Sequence, residues 1–66
     1  MVICLNGLTQ QYPQQVTLLM LIEQHYGARP GMAVALNNEV IPASAWATTE
    51  VKPRDRIDVF QAVAGG

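Results

Sequence analysis

The sequence predicts an α+β fold: a mixed sheet of four to five strands, one main helix on one face of it, and a flexible C-terminal tail. The opening residues form two β-rich segments joined by Asn6-Gly7, and the middle holds one helix-forming run bounded by Thr17 and Gly27. Near the end, Arg56 to Phe60 alternates apolar and polar side chains as a strand does. A chain of 66 residues has room for a single small domain, 1–66, whose tail is 62–66. Hydrophobic residues at 50% and charged residues at 14% exclude a disordered or charged linker and allow a packed core.

Met1 to Asn6 is β-rich, and Asn6-Gly7 supplies two positions that tolerate positive φ, as a tight hairpin turn requires. The returning strand, from about Leu8 to Tyr12, stops at Pro13, which cannot donate to a ladder, so a short or edge strand is expected. Thr17 offers an N-cap hydroxyl and Gly27 suits the left-handed C′ position, which sets the helix over Leu18 to Tyr26. On a helical wheel Leu18, Leu21, Ile22, His25 and Tyr26 share the side expected to face the core, with Met20, Glu23 and Gln24 opposite. Arg29-Pro30-Gly31 is turn chemistry, followed by a third strand from Met32, a turn at Asn37-Asn38 and a short strand at Val40-Ile41. Pro42 to Trp46 suits a single turn that buries the Trp46 indole under a loop. A turn at Lys52 to Asp55 then leads into the last strand, with Ile57 and Val59 on one face and Asp58 and Phe60 on the other. If the chain returns to the centre of the sheet, the first and last strands become parallel neighbours.

Charge and composition narrow the function classes. Four basic against five acidic side chains leave no electrostatic footprint for nucleic acid or an anionic membrane, so the expected partners are proteins. The single Cys4 cannot close an internal disulfide, and together with the single His25 it cannot fill a structural zinc site, which fits a cytoplasmic chain. The first 22 residues carry no Lys or Arg to serve as the basic region of a signal peptide, and the apolar run Leu18 to Ile22 is far shorter than the roughly 20 residues a bilayer needs. With no paired acid and base, no phosphate loop and no metal set, the chain is not expected to be an enzyme.

The chemistry-bearing stretch is the last, Ala62-Val63-Ala64-Gly65-Gly66. It could reach roughly 16 Å from the sheet at about 3.3 Å per residue. Its two glycines leave the terminal carboxylate without flanking Cβ atoms, so a partner enzyme could thread the tail through a narrow channel. An α-carboxyl of reference pKa about 3.3 to 3.7 is ionised at neutral pH and is a competent nucleophile toward the α-phosphate of ATP. The resulting acyl adenylate is open to attack by a sulfur or amine nucleophile. The chain would then be the substrate, with ATP consumed by the partner and no cofactor bound to the chain itself. Phe60, on the outer sheet face just upstream, either docks into an activating enzyme or folds back over the sheet. Cys4 shares the outer face with Val2 and reads as a half-buried strand residue; His25 in the last helical turn complements the helix dipole, and Met20 is assigned no function.

The opening MVICLNG, the spacing Asn37-x-x-Val40-x-Pro42-x-x-x-Trp46 and the closing IDVFQAVAGG together resemble the ubiquitin-like β-grasp sulfur carriers of thiamin biosynthesis, the ThiS family, along essentially the whole chain. The resemblance implies a β-grasp fold and a Gly66 that is adenylated by a ubiquitin-activating-like adenylyltransferase of the ThiF type. Conversion to a thiocarboxylate and delivery of sulfur to a thiazole synthase of the ThiG type would follow, with a cysteine desulfurase system or direct sulfide as the source. One departure is visible: the Asp-Gly-Asp turn often seen before the family's last strand is Pro53-Arg54-Asp55 here. Two other readings stay open at this level, a molybdopterin-synthase-type small carrier subunit and a ubiquitin-like modifier or interaction module.

Overall fold

In the computed structural model, residues 1–27 and 31–61 are described; the predicted turn at Arg29-Pro30 and the tail Ala62 to Gly66 lie outside them. The chain runs β1 (Val2–Leu5), β2 (Leu8–Gln11), α1 (Leu18–His25), β3 (Met32–Leu36), β4 (Glu39–Ile41), a 3-10 helix (Ala43–Thr48) and β5 (Arg56–Gln61). The strands form one mixed sheet in the order β2-β1-β5-β3-β4. The last strand therefore inserts between the two hairpins, parallel to β1 with Leu5 beside Ile57 and antiparallel to β3 with Val34 beside Val59.

Local chemistry explains most of these elements. Asn6 and Gly7 take φ of 49° and 81°, and Asn37 and Asn38 take 52° and 70°, so both hairpins turn on paired left-handed residues. Thr17 caps α1 by accepting a hydrogen bond from the Met20 N–H, and Gly27 follows the helix at φ 69°. β2 ends at Gln11 and lies at the sheet edge, as Pro13 predicts. The predicted single turn after Pro42 is a longer 3-10 segment, and it buries Trp46 to 4% exposure with the indole N–H donating to the Ile41 carbonyl at 2.9 Å.

The core lies between α1 and the sheet. Leu18, Leu21 and Ile22 of the helix meet Ile3, Leu5, Val34 and Ile57 of the strands, and Tyr12, Val16, Trp46 and Val51 close the sides. Val16 and Val51 belong to a pairing the sequence did not signal: Val51 N–H donates to the Val16 carbonyl and Leu18 N–H to the Thr49 carbonyl, stitching the helix entry to the loop before β5.

One expectation is corrected. His25, placed by the wheel on the core side, is exposed, and Tyr26 is only half-buried. The helix ends at this turn, so the imidazole packs edge-on against the Tyr12 ring at 5.4 Å between centroids without entering the core. Leu19, outside that side of the wheel, packs against the core instead.

The turn before β5 carries a strained residue. Arg54 has φ 69°, a left-handed conformation that costs a side-chain-bearing residue about 1–2 kcal/mol, at the place where the resembled turn has glycine. The turn is held by the Arg54 N–H to the Val2 carbonyl at 2.7 Å, and by Asp55, whose carboxylate accepts from the Lys52 N–H at 2.7 Å and from the Asn37 amide at 3.1 Å. Glycine would relieve the strain and lose about 0.5–1 kcal/mol in chain entropy. The Arg54→Gly variant is therefore expected to be more stable by up to about 1 kcal/mol in urea unfolding; a clear loss of stability would show that the Arg54 side chain contributes more than its strain removes.

Candidate functional site

The sheet has one face under the helix and one bare, and strand parity decides which side chains each receives. On β5 the inward side chains are Ile57, fully buried, and Val59; the outward ones are Arg56, Asp58 and Phe60. The ladder places Phe60 beside Ala33 of β3, and Asp58 beside Ala35, which in turn pairs with Val40 of β4. Phe60 is 58% exposed with a small alanine as its cross-strand neighbour, so the ring lies on the outer face, as strand parity predicts, and is largely open to solvent. Val40 and Val2 are also exposed on this face, and Cys4 is half-buried there beside Arg56. Between the apolar residues, the Arg56 Nε meets the Asp58 carboxylate at 3.2 Å. The bare face thus offers an apolar surface with one ion pair across its middle, a composition suited to another protein.

At the far end of β5 a second feature appears. β1 stops at the Asn6-Gly7 turn, where the Asn6 N–H donates to the Ile57 carbonyl at 2.9 Å. The Asn6 side chain continues the contact: its Oδ1 accepts from the Val59 N–H at 2.7 Å, and its Nδ2 donates to the Tyr26 hydroxyl at the helix end. Asn37 does the same at the start of the strand, its Oδ1 accepting from the Arg56 N–H at 2.9 Å. Sequence reading placed both asparagines in turns and gave neither a bond to the last strand. The signal for more was their position: in a tight turn the first residue's side chain is free, and an amide there can reach a neighbouring strand.

Gln61 ends the described part of this strand, and the tail residues Ala62, Val63, Ala64, Gly65 and Gly66 lie beyond it. Among the described residues no cavity is found and no three His, Cys, Asp or Glu side chains converge on a metal position. No described helix is long and apolar enough to cross a membrane. Among the described residues the candidate site is therefore the bare sheet face.

Known proteins match this chain over its length. The model of the ThiS family matches residues 3–66. The sulfur carrier protein ThiS of Escherichia coli strain K12 is 35% identical over 66 residues, 100% of each chain. The crystal structure of the thiamine biosynthesis protein ThiS from Geobacter metallireducens is similar with a TM-score of 0.84 and 25% identity, again over 100% of both chains. Its five-stranded sheet with a single helix is thus a β-grasp, and the chain belongs to the ThiS family of sulfur carriers.

Proposed function

We propose that this protein carries sulfur for thiazole formation in thiamin biosynthesis, as a protein substrate acted on by partner enzymes in the cytoplasm. Membership of the ThiS family through Gly66 is the observation that carries the reading. In this reading residues 1–66 form one carrier domain, and Ala62, Val63, Ala64 and Gly65 are the segment threaded into partner active sites.

The Gly66 carboxylate attacks the α-phosphorus of ATP in a ThiF-type adenylyltransferase. A carboxyl oxygen–phosphorus bond forms and pyrophosphate leaves. Sulfide, or a persulfide from a cysteine desulfurase system whose acyl disulfide is then cleaved by a thiol, attacks the acyl carbon and expels AMP. On a ThiG-type thiazole synthase the thiocarboxylate sulfur bonds to the substrate, the acyl carbon–sulfur bond breaks, and an oxygen from the substrate carbonyl or water takes its place, which returns the carboxylate. The folded domain serves as the handle: the bare face with Phe60 at its edge supports docking, while catalytic groups and ATP belong to the partners. The small side chains of the last five residues fit passage through a narrow channel.

The test is the intact mass of the purified chain after incubation with ATP, a ThiF-type enzyme and a sulfur source. The expected product has one oxygen replaced by sulfur within the Gly66 peptide. An unchanged mass, with the enzyme shown active on its own carrier, would overturn the reading, as would recovery of the chain from cells as a lysine conjugate.

Two substitutions separate tail from surface. Gly66→Ala is expected to fold normally and to lose adenylation by at least about tenfold, roughly 1.4 kcal/mol of transition-state stabilisation, because the new Cβ crowds the channel. Phe60→Ala is expected to weaken affinity for the adenylyltransferase by about tenfold while leaving the melting temperature nearly unchanged, since the ring is largely exposed already. A shift of more than about 8 °C would mean that the ring supports the fold.

A further inference from the structure

The last strand is held unequally along its two edges. On the β3 side the ladder continues to its end, with Ala33 beside Phe60 and Met32 beside Gln61. On the β1 side the pairing covers only Cys4 with Arg56 and Leu5 with Ile57 before β1 turns away. The next outward-pointing donor on that edge, the Val59 N–H, would have no strand to meet. It meets the Asn6 Oδ1 at 2.7 Å across 53 positions of sequence. Asn6 is itself fixed from two directions, by its own N–H on the Ile57 carbonyl and by its Nδ2 on the Tyr26 hydroxyl. Helix end, hairpin turn and last strand therefore meet at one side chain.

We infer that Asn6 is a positioning residue for the sulfur-carrier chemistry, setting the direction in which the chain leaves β5 toward Gly66. The inference rests on the tail reading proposed above. Two residues separate the clipped Val59 from Ala62, so the clip holds the last strand turn before the tail. Fixing the end of the strand fixes the point from which the five-residue tail starts, within the roughly 16 Å that it can span. Misplacement of reacting atoms by about 1 Å already costs up to about 100-fold in rate. Without the clip, Asp58 to Gln61 are paired from one side only, and the tail of a docked carrier enters the partner's channel along a less defined line.

Asn37 supplies the matched control, because it makes the same kind of bond to the same strand at the end remote from the tail. Both asparagines have left-handed φ, so glycine removes each side chain without straining its turn. Asn6→Asp keeps the acceptor for the Val59 N–H and replaces the Nδ2 donor by a carboxylate oxygen, to which the Tyr26 hydroxyl can donate instead.

The experiment measures kcat and KM for the carrier in ATP-dependent adenylation by a ThiF-type enzyme, together with amide hydrogen exchange at Val59. Asn6→Gly is expected to lower kcat about tenfold with KM within about twofold, and to lose Val59 protection. Asn6→Asp is expected to restore both, and Asn37→Gly to keep kcat within about twofold of the unsubstituted chain. An unchanged kcat in Asn6→Gly, an equal loss in Asn37→Gly, or no rescue by Asn6→Asp would each overturn the positioning role while leaving the carrier reading intact. Failure of the unsubstituted chain to be adenylated would overturn both.

Discussion

Ile57, fully buried at the middle of the sheet, joins two hairpins that have no other strand contact: β1 with β2 on one side and β3 with β4 on the other. A two-stranded hairpin alone is at best marginally stable in water, so each of them depends on the strand that comes last in the chain. The helix cannot substitute, because its buried residues Leu18, Leu21 and Ile22 need the apolar face that only the joined sheet provides. Pairing of β1 with β5 closes a loop of more than fifty residues, reflected in the 53-position separation between Asn6 and Val59. Such non-local pairing slows folding and makes it cooperative, since little core forms until the chain end is in place.

The turns then determine how well that strand is held. Left-handed backbone is available cheaply to glycine and asparagine, and the two hairpins use Asn6-Gly7 and Asn37-Asn38 for it. Glycine at all four positions would satisfy the backbone equally. Asparagine adds an amide that reaches β5, and each such bond contributes about 0.5–1.5 kcal/mol while filling a donor that the ladder leaves open. Arg54 is the exception in this scheme, a long charged side chain in left-handed backbone whose turn is held by its neighbour Asp55 and by its own N–H.

Features governed by local chemistry were legible in the sequence. The asparagine turns, the Thr17 cap, the Gly27 stop, the Trp46 plug after Pro42 and the exposure of Phe60 each follow from a residue type or from strand parity. Features that depend on where an element ends in space were not. His25 has the right angular position for the core, but it belongs to the last turn, where it stays exposed beside the rings of Tyr12 and Tyr26. Tyr12, Val16 and Val51 lie in segments without periodicity, so nothing local marks them as core. The clip from Asn6 to Val59 links positions too distant in sequence for any spacing rule to connect. Of the candidate site, the bare face was legible through parity, and the sulfur-carrier family through the opening segment, the Asn37-to-Trp46 spacing and the closing stretch, whereas the support behind the last strand was not.

A strand repeats every two residues, which lets β5 serve two purposes at once. Ile57 and Val59 fill the core, while Asp58 and Phe60, one position away, face outward. The arrangement is economical and fragile in the same respect. A slip of one residue would turn Phe60 inward against the helix and expose Ile57, destroying core and surface together. Hydrophobic pattern alone resists such a slip less at the end of the strand than at its middle, because the side chains there are only partly buried. Fixed hydrogen bonds at Arg56 and Val59, both made by asparagine side chains outside the ladder, pin the register at the two points flanking Ile57. The Asn37 bond fixes the start of the strand and the Asn6 bond the end from which the chain leaves it, so a substitution that preserves a turn can still disturb register and surface together.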